Sequence, residues 1–287
     1  MLLNLIRLAR PRHWIKNVFV LAPVPFAVAA GAKVDLVVLA TGILGFSLVN
    51  SSVYAINDVC DAAADRLHPR KRLRPVAAGL VSPPVALVEA AVLLAGGVAL
   101  CLATGRPGVL LLAMIYVVLN LAYSLGVKHV ALVDVFLLSS GFVIRVFLGC
   151  ELVDVLASPW LVLCASALAI FLGFSKRRAD LASDPECQTR PSLRGYTHAF
   201  LDQATAISAG VALLCYAIYA IESPVFEAGR QLVSLPFVAY GILNYLRLNQ
   251  LADGRGGSPV EIAYSSRAMQ ICAGGWLAAV FWSLGMW

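Results

Sequence analysis

The sequence predicts an all-α, polytopic membrane protein with about nine transmembrane helices. Sixty per cent of the 287 residues are hydrophobic and only 13% are charged, whereas soluble domains carry about 25% charged residues. Apolar stretches long enough to cross a bilayer recur along the whole chain, and their lengths indicate helices. Because they leave no room for a separate soluble domain, we expect residues 1–287 to form a single transmembrane domain.

The predicted spans are nine apolar segments of about 20 residues each. Some are shorter than ideal, and the division between the fourth and fifth segments is the least distinct. The segments are residues 14–32, 36–56, 84–104, 107–125, 132–150, 159–175, 201–221, 232–249 and 268–286.

The distribution of Lys and Arg predicts the orientation of the chain. Of the 22 such residues, all but four fall in the N-terminal tail or in the loops that follow the even-numbered segments. Cytoplasmic loops are enriched in Lys and Arg, so this asymmetry places the N-terminus and the loops 57–83 and 176–200 on the cytoplasmic side. We expect the membrane to be a bacterial inner membrane. The four exceptions are Lys33, Arg106 and Arg230 on the opposite side and Arg145 inside a segment.

The net charge of +6 follows this membrane pattern and does not indicate a nucleic-acid partner. The seven cysteines are scattered, with no CxxC pair and no Cys/His spacing typical of zinc. Most lie inside apolar segments, where cysteine acts as a small packing residue.

An acidic motif follows the second segment directly. Asn57, Asp58, Asp61 and Asp65 lie within one arc of roughly 100° on a helix and present one amide and three carboxylate oxygens to the same space. Mg²⁺ prefers such hard oxygen ligands and is usually bound together with phosphates. The alternative is a solvated acidic helix end balanced by nearby cations. We favour the metal site, because polar groups beside a membrane-length segment are unfavourable without a function.

A second acidic cluster lies at the cytoplasmic end of the sixth segment. Asp180 and Asp184 are separated by four residues and share a helix face. Pro185 disfavours helix at the preceding residue, so we expect the helix to end at Asp184. Two acidic clusters on one membrane face suggest metal ions that neutralise a departing pyrophosphate.

The fifth segment carries two charges, Asp134 and Arg145. They are about three turns apart and are predicted to point the same way. An arginine at that depth faces a protein interior or a wet cavity. Two interpretations of Arg145 remain open, an internal ion pair with another helix and a lipid-phosphate or cavity-lining role. Tyr123, at the end of the fourth segment, is a candidate lining residue of the same cavity.

Basic residues surround the acidic motifs in greater number than one diphosphate requires. Arginine binds phosphate oxygens in pairs, so the excess suggests several phosphate groups on more than one substrate. The bias of cytoplasmic loops toward Lys and Arg is an alternative explanation. The candidate phosphate ligands are Lys16, Lys71, Arg72, Arg74, Lys128, Arg145, Lys176, Arg177 and Arg178.

The first motif resembles the first aspartate-rich motif of the UbiA superfamily of intramembrane prenyltransferases, and Asp180-x-x-x-Asp184 resembles the second. Further stretches are similar to one branch, the decaprenyl-phosphate phosphoribosyltransferases. They are Arg10-Pro-Arg-His-Trp-Ile-Lys16-Asn17, Lys71-Arg-Leu-Arg-Pro-Val-Ala-Ala-Gly79, Tyr123-Ser124 with Lys128, Gly141-Phe-Val-Ile-Arg145 and Lys176-Arg-Arg-Ala-Asp180.

This resemblance implies a UbiA-like bundle of nine helices around a central cavity open sideways to lipid. It implies Mg²⁺-dependent transfer of 5-phosphoribose from phosphoribosyl diphosphate (PRPP) to a polyprenyl phosphate, with release of pyrophosphate. The first motif would hold Mg²⁺ and pyrophosphate. Asp180 and Asp184 would complete the metal clamp or orient the ribose. Lys16, Lys128 and Arg145 are candidates for binding the lipid phosphate, and Asn17 is a further candidate substrate-binding residue.

Two other functions fit parts of the same pattern. Aromatic prenyl transfer from a polyprenyl diphosphate shares the fold and the first motif, but the second cluster is poorer in aspartate than in aromatic prenyltransferases. A transporter or channel for an anionic solute would use intramembrane charge and basic loops, but it would not explain carboxylates at Mg²⁺ spacing. The sequence leaves open the lipid chain length, the oligomeric state and a second metal ion at Asp180 and Asp184.

Overall fold

The computed structural model describes residues 1–67, 71–184, 191–251 and 266–286. Arg70, Arg190 and Arg255, which entered the charge count, and Pro185, which entered the prediction of a helix end, lie outside these ranges. Within the described ranges the regular secondary structure is helical and includes no strand, which confirms the predicted all-α class.

The α-helices within these ranges differ widely in length, from six to 25 residues. Short 3₁₀ helices connect several of them, at Pro11–Leu21, Lys71–Leu73, Val127–His129 and Pro191–Gly195. The α-helices are α1 (Leu2–Ala9), α2 (Val24–Ala29), α3 (Leu36–Cys60), α4 (Ala62–Leu67), α5 (Pro83–Ala103), α6 (Pro107–Ser124), α7 (Val133–Leu152), α8 (Pro159–Ser183), α9 (His198–Glu222), α10 (Leu235–Leu251) and α11 (Arg267–Ser283).

Six helices in the described residues are long and apolar enough to cross a membrane, namely α3 and α5 to α9. They correspond to six of the nine predicted segments and confirm that the fourth and fifth segments are separate helices. The count of nine spans is not confirmed. Helices α10 and α11 have 17 residues each, and segment 14–32 is divided between a 3₁₀ helix and the six-residue α2.

The break in segment 14–32 follows from its prolines. Pro23 and Pro25 flank Val24, and a proline removes a backbone donor and clashes with the carbonyl four residues before it. Two of them in one turn therefore prevent a continuous α-helix, although the composition of the segment is apolar throughout.

The described chain forms two compact units. The first contains Met1–Val24, Lys33–Lys128 and Ile144–Leu156, and the second contains Pro25–Ala32, His129–Val143 and Ala157–Trp287. Helix α7 contributes its first part to the second unit and its last part to the first. A single transmembrane domain over residues 1–287 stays a prediction.

In the first unit, α3 and α5 pack closely because both carry glycine at their contact. A Cβ atom on Gly97 would lie 2.8 Å from the carbonyl oxygen of Gly45 and 2.9 Å from the nitrogen of Val49. Small residues of this kind allow membrane helices to approach each other's backbone. Beyond that contact, a core of Leu8, Ala55, Ala62, Val76 and Val81 buries the end of α3, which fixes the position of the acidic motif.

In the second unit, apolar residues of α8, α9 and α10 pack together around Phe171, Ala209 and Tyr245. Another cluster, which includes Phe174, Leu181 and Leu193, covers the last turns of α8. Helix α8 continues past the predicted span end at residue 175 as far as Ser183. The Lys176–Asp180 stretch is therefore helical and lies against this apolar cluster.

Candidate active site

The first acidic motif lies where α3 ends and α4 begins. Asn57 and Asp58 belong to the last turn of α3, Asp61 caps that helix with φ −90° and ψ −1°, and Asp65 belongs to α4. The Asp61 amide donates to the Asn57 carbonyl at 2.9 Å, and the Asp65 amide donates to the Asp61 carbonyl at 2.8 Å. The predicted single helix is therefore two helices with a break at Asp61, joined by helix-like hydrogen bonds.

Two arginines neutralise the more buried carboxylates of the motif. Asp58 is 1% exposed and Asp65 is 3% exposed. Arg74 Nη1 lies 2.6 Å from Asp65 Oδ2 and 3.4 Å from Asp58 Oδ1. Arg10 forms an ion pair with Asp58 and its guanidinium lies 5.3 Å from the centre of the Tyr54 ring. Buried carboxylates without such partners would be strongly unfavourable.

The last residue of α6 and the 3₁₀ helix that follows it supply the other partners of the motif. Lys128 forms an ion pair with Asp61, and Ser124 donates a hydrogen bond to the side-chain oxygen of Asn57. Tyr123 is half-buried beside Ser124. All three carboxylates thus have a cationic partner from another part of the first unit.

One buried atom of the motif has no hydrogen-bond partner among the described residues. Asp58 Oδ2 is buried and accepts no hydrogen bond, and buried polar atoms are rarely left unsatisfied. Within the described residues, no three His, Cys, Asp or Glu side chains form a metal site by themselves. The amide and carboxylate oxygens of Asn57, Asp58, Asp61 and Asp65 nevertheless fit Mg²⁺, which takes one or two carboxylates and completes its shell with waters and phosphate oxygens.

Lys71 and Arg72 lie on the 3₁₀ helix before Arg74. Lys71 is half-buried and Arg72 is exposed. Arg66, close to them along the chain, donates to the Ala77 carbonyl at 3.4 Å and helps to fold this loop back on itself.

Arg145 has an interior position in the first unit. It is 4% exposed, and it donates from Nε to Asn17 Oδ1 at 2.9 Å and from Nη2 to Asn50 Oδ1 at 2.6 Å. Its guanidinium also lies 5.2 Å from the ring centre of Phe46 and 5.3 Å from that of Tyr116. Neutral amides and aromatic rings are therefore partners of this charge. The two roles predicted from the sequence, an internal ion pair and a lipid-phosphate or cavity-lining role, stay predictions.

Lys16 lies on the 3₁₀ helix that precedes α2 and is half-buried. Arg145 and Arg10 are both close enough for their positive charges to act on it. Asn17, the next residue, is buried and donates to Ser47 Oγ at 2.7 Å. A half-buried cation within reach of two other positive charges favours the binding of an anion.

The second acidic cluster differs from the prediction in the role of Arg177. This side chain is completely buried. Its Nε lies 2.7 Å from Asp134 Oδ2, and its Nη1 donates to Asp180 Oδ2 at 2.6 Å. Because Arg177 is completely buried as well as paired with two carboxylates, the structure does not support the expectation that it binds a phosphate.

The neighbours of Arg177 have separate partners. Arg178 forms an ion pair with Asp202 of α9 and donates to the Asn249 carbonyl at 3.3 Å. Lys176 is half-buried. Helix α8 ends at Ser183 with Asp184 as its C-cap, as predicted, and the Asp184 amide donates to the Asp180 carbonyl at 3.0 Å.

Asp134 is the centre of a buried polar cluster in the second unit. It is 0% exposed and accepts hydrogen bonds from Ser192 Oγ at 2.9 Å and from the Tyr196 hydroxyl at 2.7 Å. Burial and the hydrogen bond to Asp134 raise the pKa of Tyr196 above its usual value, so the phenol remains protonated and donates. Asp134 therefore pairs with α8 and with the loop before α9.

Sequence reasoning missed several of these residues as members of a site. Arg10 precedes a proline, which disfavours the right-handed helical region, and it adopts φ 51° and ψ 54° at the end of α1. That local signal predicts a turn but not an ion pair with Asp58. Ser192 and Tyr196 carry no motif at all.

Comparison with known proteins identifies the family. A sequence profile described as the UbiA prenyltransferase family matches residues 17–266. Decaprenyl-phosphate phosphoribosyltransferase of Mycobacterium tuberculosis is 34% identical to this chain and covers 96% of it, with 93% of its own length matched. The protein of the same name from Mycolicibacterium smegmatis is 32% identical over 96% of this chain and 91% of its own.

A solved structure supports the fold over nearly the whole length. A UbiA homolog from Archaeoglobus fulgidus bound to DMAPP and Mg²⁺ superposes with a TM-score of 0.74 at 18% identity, covering 99% of this chain and 100% of that one. With the family profile, it confirms the predicted UbiA-like helical fold of an integral membrane protein. The chain therefore belongs to the UbiA prenyltransferase family.

Proposed function

We propose that this protein transfers 5-phosphoribose from PRPP to a polyprenyl phosphate and releases pyrophosphate. One observation in the structure carries the proposal: three carboxylates of one motif, Asp58, Asp61 and Asp65, each pair with a cation that is able to bind phosphate. The similarity in sequence to phosphoribosyltransferases over nearly the full length supports the choice of donor and acceptor.

Each part of the first motif has a role in this proposal. Asn57, Asp58, Asp61 and Asp65 supply oxygen ligands for a divalent cation, which we propose to be Mg²⁺. When bound, Mg²⁺ would neutralise the charge that develops on the departing pyrophosphate. Arg10, Arg74 and Lys128, which pair with these carboxylates, are also suited to bind the donor's phosphate oxygens, and so are the neighbouring Lys71 and Arg72.

The acceptor requires a second anion site, and Lys16 is our candidate for it. It is half-buried and close to the positive charges of Arg10 and Arg145. Asn17, buried beside it, donates to Ser47 and accepts from Arg145. We propose that Lys16 binds the lipid phosphate while Asn17 and Arg145 maintain the shape of the surrounding region.

The proposed reaction needs no general base. An oxygen of the polyprenyl phosphate attacks C1 of the ribose, the bond from C1 to the pyrophosphate oxygen breaks, and pyrophosphate leaves with the bonding electrons. A phosphate oxygen is already an anionic nucleophile, so no proton has to be removed from it. The protein therefore contributes positioning and charge stabilisation.

The positions of the loops follow from the same proposal. We propose that residues 57–83 and 176–200 lie on the cytoplasmic side of a bacterial inner membrane. PRPP is supplied from that side. Asp180 and Asp184 remain candidates for the reaction because their spacing resembles the second motif of the family. Lys176 and Arg178 remain candidates for phosphate binding, whereas Arg177 does not.

Aromatic prenyl transfer is the second candidate function. The observation in its favour is that a solved structure of the same fold is bound to DMAPP, a prenyl diphosphate. The first motif would hold the diphosphate of either donor. The smaller share of aspartate in the second cluster favours the phosphoribosyl reaction.

Product analysis separates the candidates. Purified protein would be incubated in detergent with Mg²⁺, PRPP and polyprenyl phosphates, and the lipids would be analysed by mass spectrometry, with Asp58→Asn as the inactive control. We expect a lipid heavier by one phosphoribosyl group. A prenylated aromatic product from polyprenyl diphosphate and 4-hydroxybenzoate, with none from PRPP, would overturn the proposal. Solute flux in vesicles without any covalent product would indicate a transporter instead.

A further inference from the structure

The buried cluster around Arg177 connects Asp180 to residues that have no task in the proposed reaction. We call Asp134, Arg177, Asp180, Ser192 and Tyr196 the Arg177 network; its interatomic distances all lie between 2.6 and 2.9 Å. Asp134, Arg177 and Ser192 are each 0% exposed, and Tyr196 is 6% exposed. In contrast, 35% of the Asp180 side chain is exposed, so the network begins in the interior and ends at an accessible carboxylate.

The direction of each hydrogen bond shows how the network is ordered. Ser192 and Tyr196 donate to the two oxygens of Asp134. Asp134 in turn fixes one side of the Arg177 guanidinium. The opposite side of that guanidinium donates from Nη1 to Asp180, which leaves the rest of the Asp180 carboxylate available to another group.

Tyr196 also fixes the backbone before α7. Its hydroxyl accepts a hydrogen bond of 2.6 Å from the amide of Leu132. Leu132 has φ 67°, a left-handed conformation that a branched side chain adopts only where the surroundings enforce it. Tyr196 therefore ties Leu132 and Asp134, which flank the start of α7, to the loop before α9.

We propose that Ser192 and Tyr196 are positioning residues that act through Asp134 and Arg177 to fix the orientation of Asp180. This inference rests on the proposed function, in which Asp180 contributes to the reaction. It assigns to Arg177 the task of holding a functional carboxylate rather than a substrate phosphate.

A double-mutant cycle tests whether Tyr196 acts through Asp180. The variants are Tyr196→Phe, Asp180→Asn and the pair, with kcat and KM measured for the lipid product. We expect Tyr196→Phe to lower kcat about 10-fold, the effect of losing one hydrogen bond to a charged group, with KM for the polyprenyl phosphate unchanged within twofold. In the Asp180→Asn background, the same change should alter kcat less than about twofold.

A second tyrosine provides the matched control. The Tyr216 hydroxyl makes hydrogen bonds with Ser234 at 2.7 Å and with Trp276 at 2.9 Å, so Tyr216→Phe also removes two contacts within the second unit. We expect it to lower the melting temperature in detergent as much as Tyr196→Phe does, and to leave kcat unchanged. Ser192→Ala removes a single donor to Asp134 and should lower kcat in the same direction as Tyr196→Phe.

The possible outcomes are distinct. If Tyr196→Phe lowers kcat by the same factor in both backgrounds, or no more than Tyr216→Phe does, the inference is wrong. If the wild-type protein makes no phosphoribosylated lipid, the proposed function fails. The double-mutant cycle is then repeated with another readout, the increase in melting temperature that inorganic pyrophosphate with Mg²⁺ produces. A smaller increase in Tyr196→Phe than in the wild type, with no further decrease when Tyr196→Phe is added to Asp180→Asn, would support the network. Decreases that add in the double variant would overturn it.

Discussion

Arg74 Nη1 lies 2.6 Å from Asp65 Oδ2, so a cation from the loop after α4 is held directly against the last carboxylate of the acidic motif. The same nitrogen is 3.4 Å from Asp58 Oδ1. One guanidinium therefore lies between two carboxylates that the sequence predicted as metal ligands. Any ligand that uses these carboxylates must compete with Arg74 or bind beside it.

This relationship predicts different effects for the three aspartates. Asp58→Asn and Asp61→Asn should abolish turnover at all practical Mg²⁺ concentrations, because each removes a charge from the junction of α3 and α4. Asp65→Asn should leave residual activity that rises with added Mg²⁺, since Asp58 and Asp61 remain. Turnover measured against Mg²⁺ concentration for each variant checks this. Near wild-type activity in Asp58→Asn or Asp61→Asn would mean that the motif is a solvated helix end.

Replacing Lys128 should weaken the binding of the donor and strengthen the binding of the metal. Lys128→Met removes the cation paired with Asp61, so we expect the KM for PRPP to rise about 10-fold, equivalent to about 1.4 kcal/mol. Without substrate, the freed carboxylate should bind Mn²⁺ more tightly, which electron paramagnetic resonance measures directly. Lys33→Met, at an exposed position of the first unit, is the matched control. Unchanged PRPP and Mn²⁺ binding in Lys128→Met would contradict this role.

Arg177 and Arg178 are adjacent but should respond differently to truncation. Arg177→Ala leaves Asp134 buried without its cation, which should destabilise the protein by about 3–5 kcal/mol. Arg178→Ala removes a partly exposed ion pair with Asp202 and should change stability by less than about 1 kcal/mol. Thermal unfolding in detergent compares them. An Arg177→Ala variant that unfolds like the wild type but has a raised KM for PRPP would restore the phosphate-binding role.

Arg145 provides a test between an interior contact and a lipid-phosphate ligand. Arg145→Lys keeps the charge but cannot donate to both Asn17 and Asn50 from a planar fork, so we expect lower thermal stability. Each amide oxygen left without a donor costs about 1–3 kcal/mol. Arg106→Lys, which alters a partly exposed ion pair with Asp154, is the control. An unchanged melting temperature together with a raised KM for polyprenyl phosphate would show that Arg145 binds the lipid.

The orientation of the chain is testable with cysteine labelling. Cys60, at the end of α3, is exposed, and it should react with impermeant maleimide only from the cytoplasmic side once Cys187 is replaced by Ser. Leu156 is 98% exposed. In a Cys60→Ser, Cys187→Ser background, Leu156→Cys should react only from outside intact cells. The reverse pattern would overturn the predicted topology.

Local features of the sequence are sufficient to predict the helical membrane fold and the location of the acidic motif. Both depend on local information: the length of an apolar stretch decides whether a helix crosses lipid, and the spacing of Asn57, Asp58, Asp61 and Asp65 follows the helical repeat. The effect of Pro23 and Pro25 is local as well: apolar composition predicts one span over residues 14–32, and the two prolines interrupt its helix. The end of α8 at Asp184 was predicted correctly on the same basis.

The pairing of each cation with its carboxylate, in contrast, depends on the tertiary structure. Arg10 and Asp58 are 48 residues apart, Lys128 and Asp61 are 67 apart, and Arg145 and Asn17 are 128 apart. A cytoplasmic loop rich in Lys and Arg looks the same in sequence whether its charges face water, a phosphate or a buried aspartate. Packing makes the difference: it buries Arg177 beside Asp134, where only a paired charge is stable.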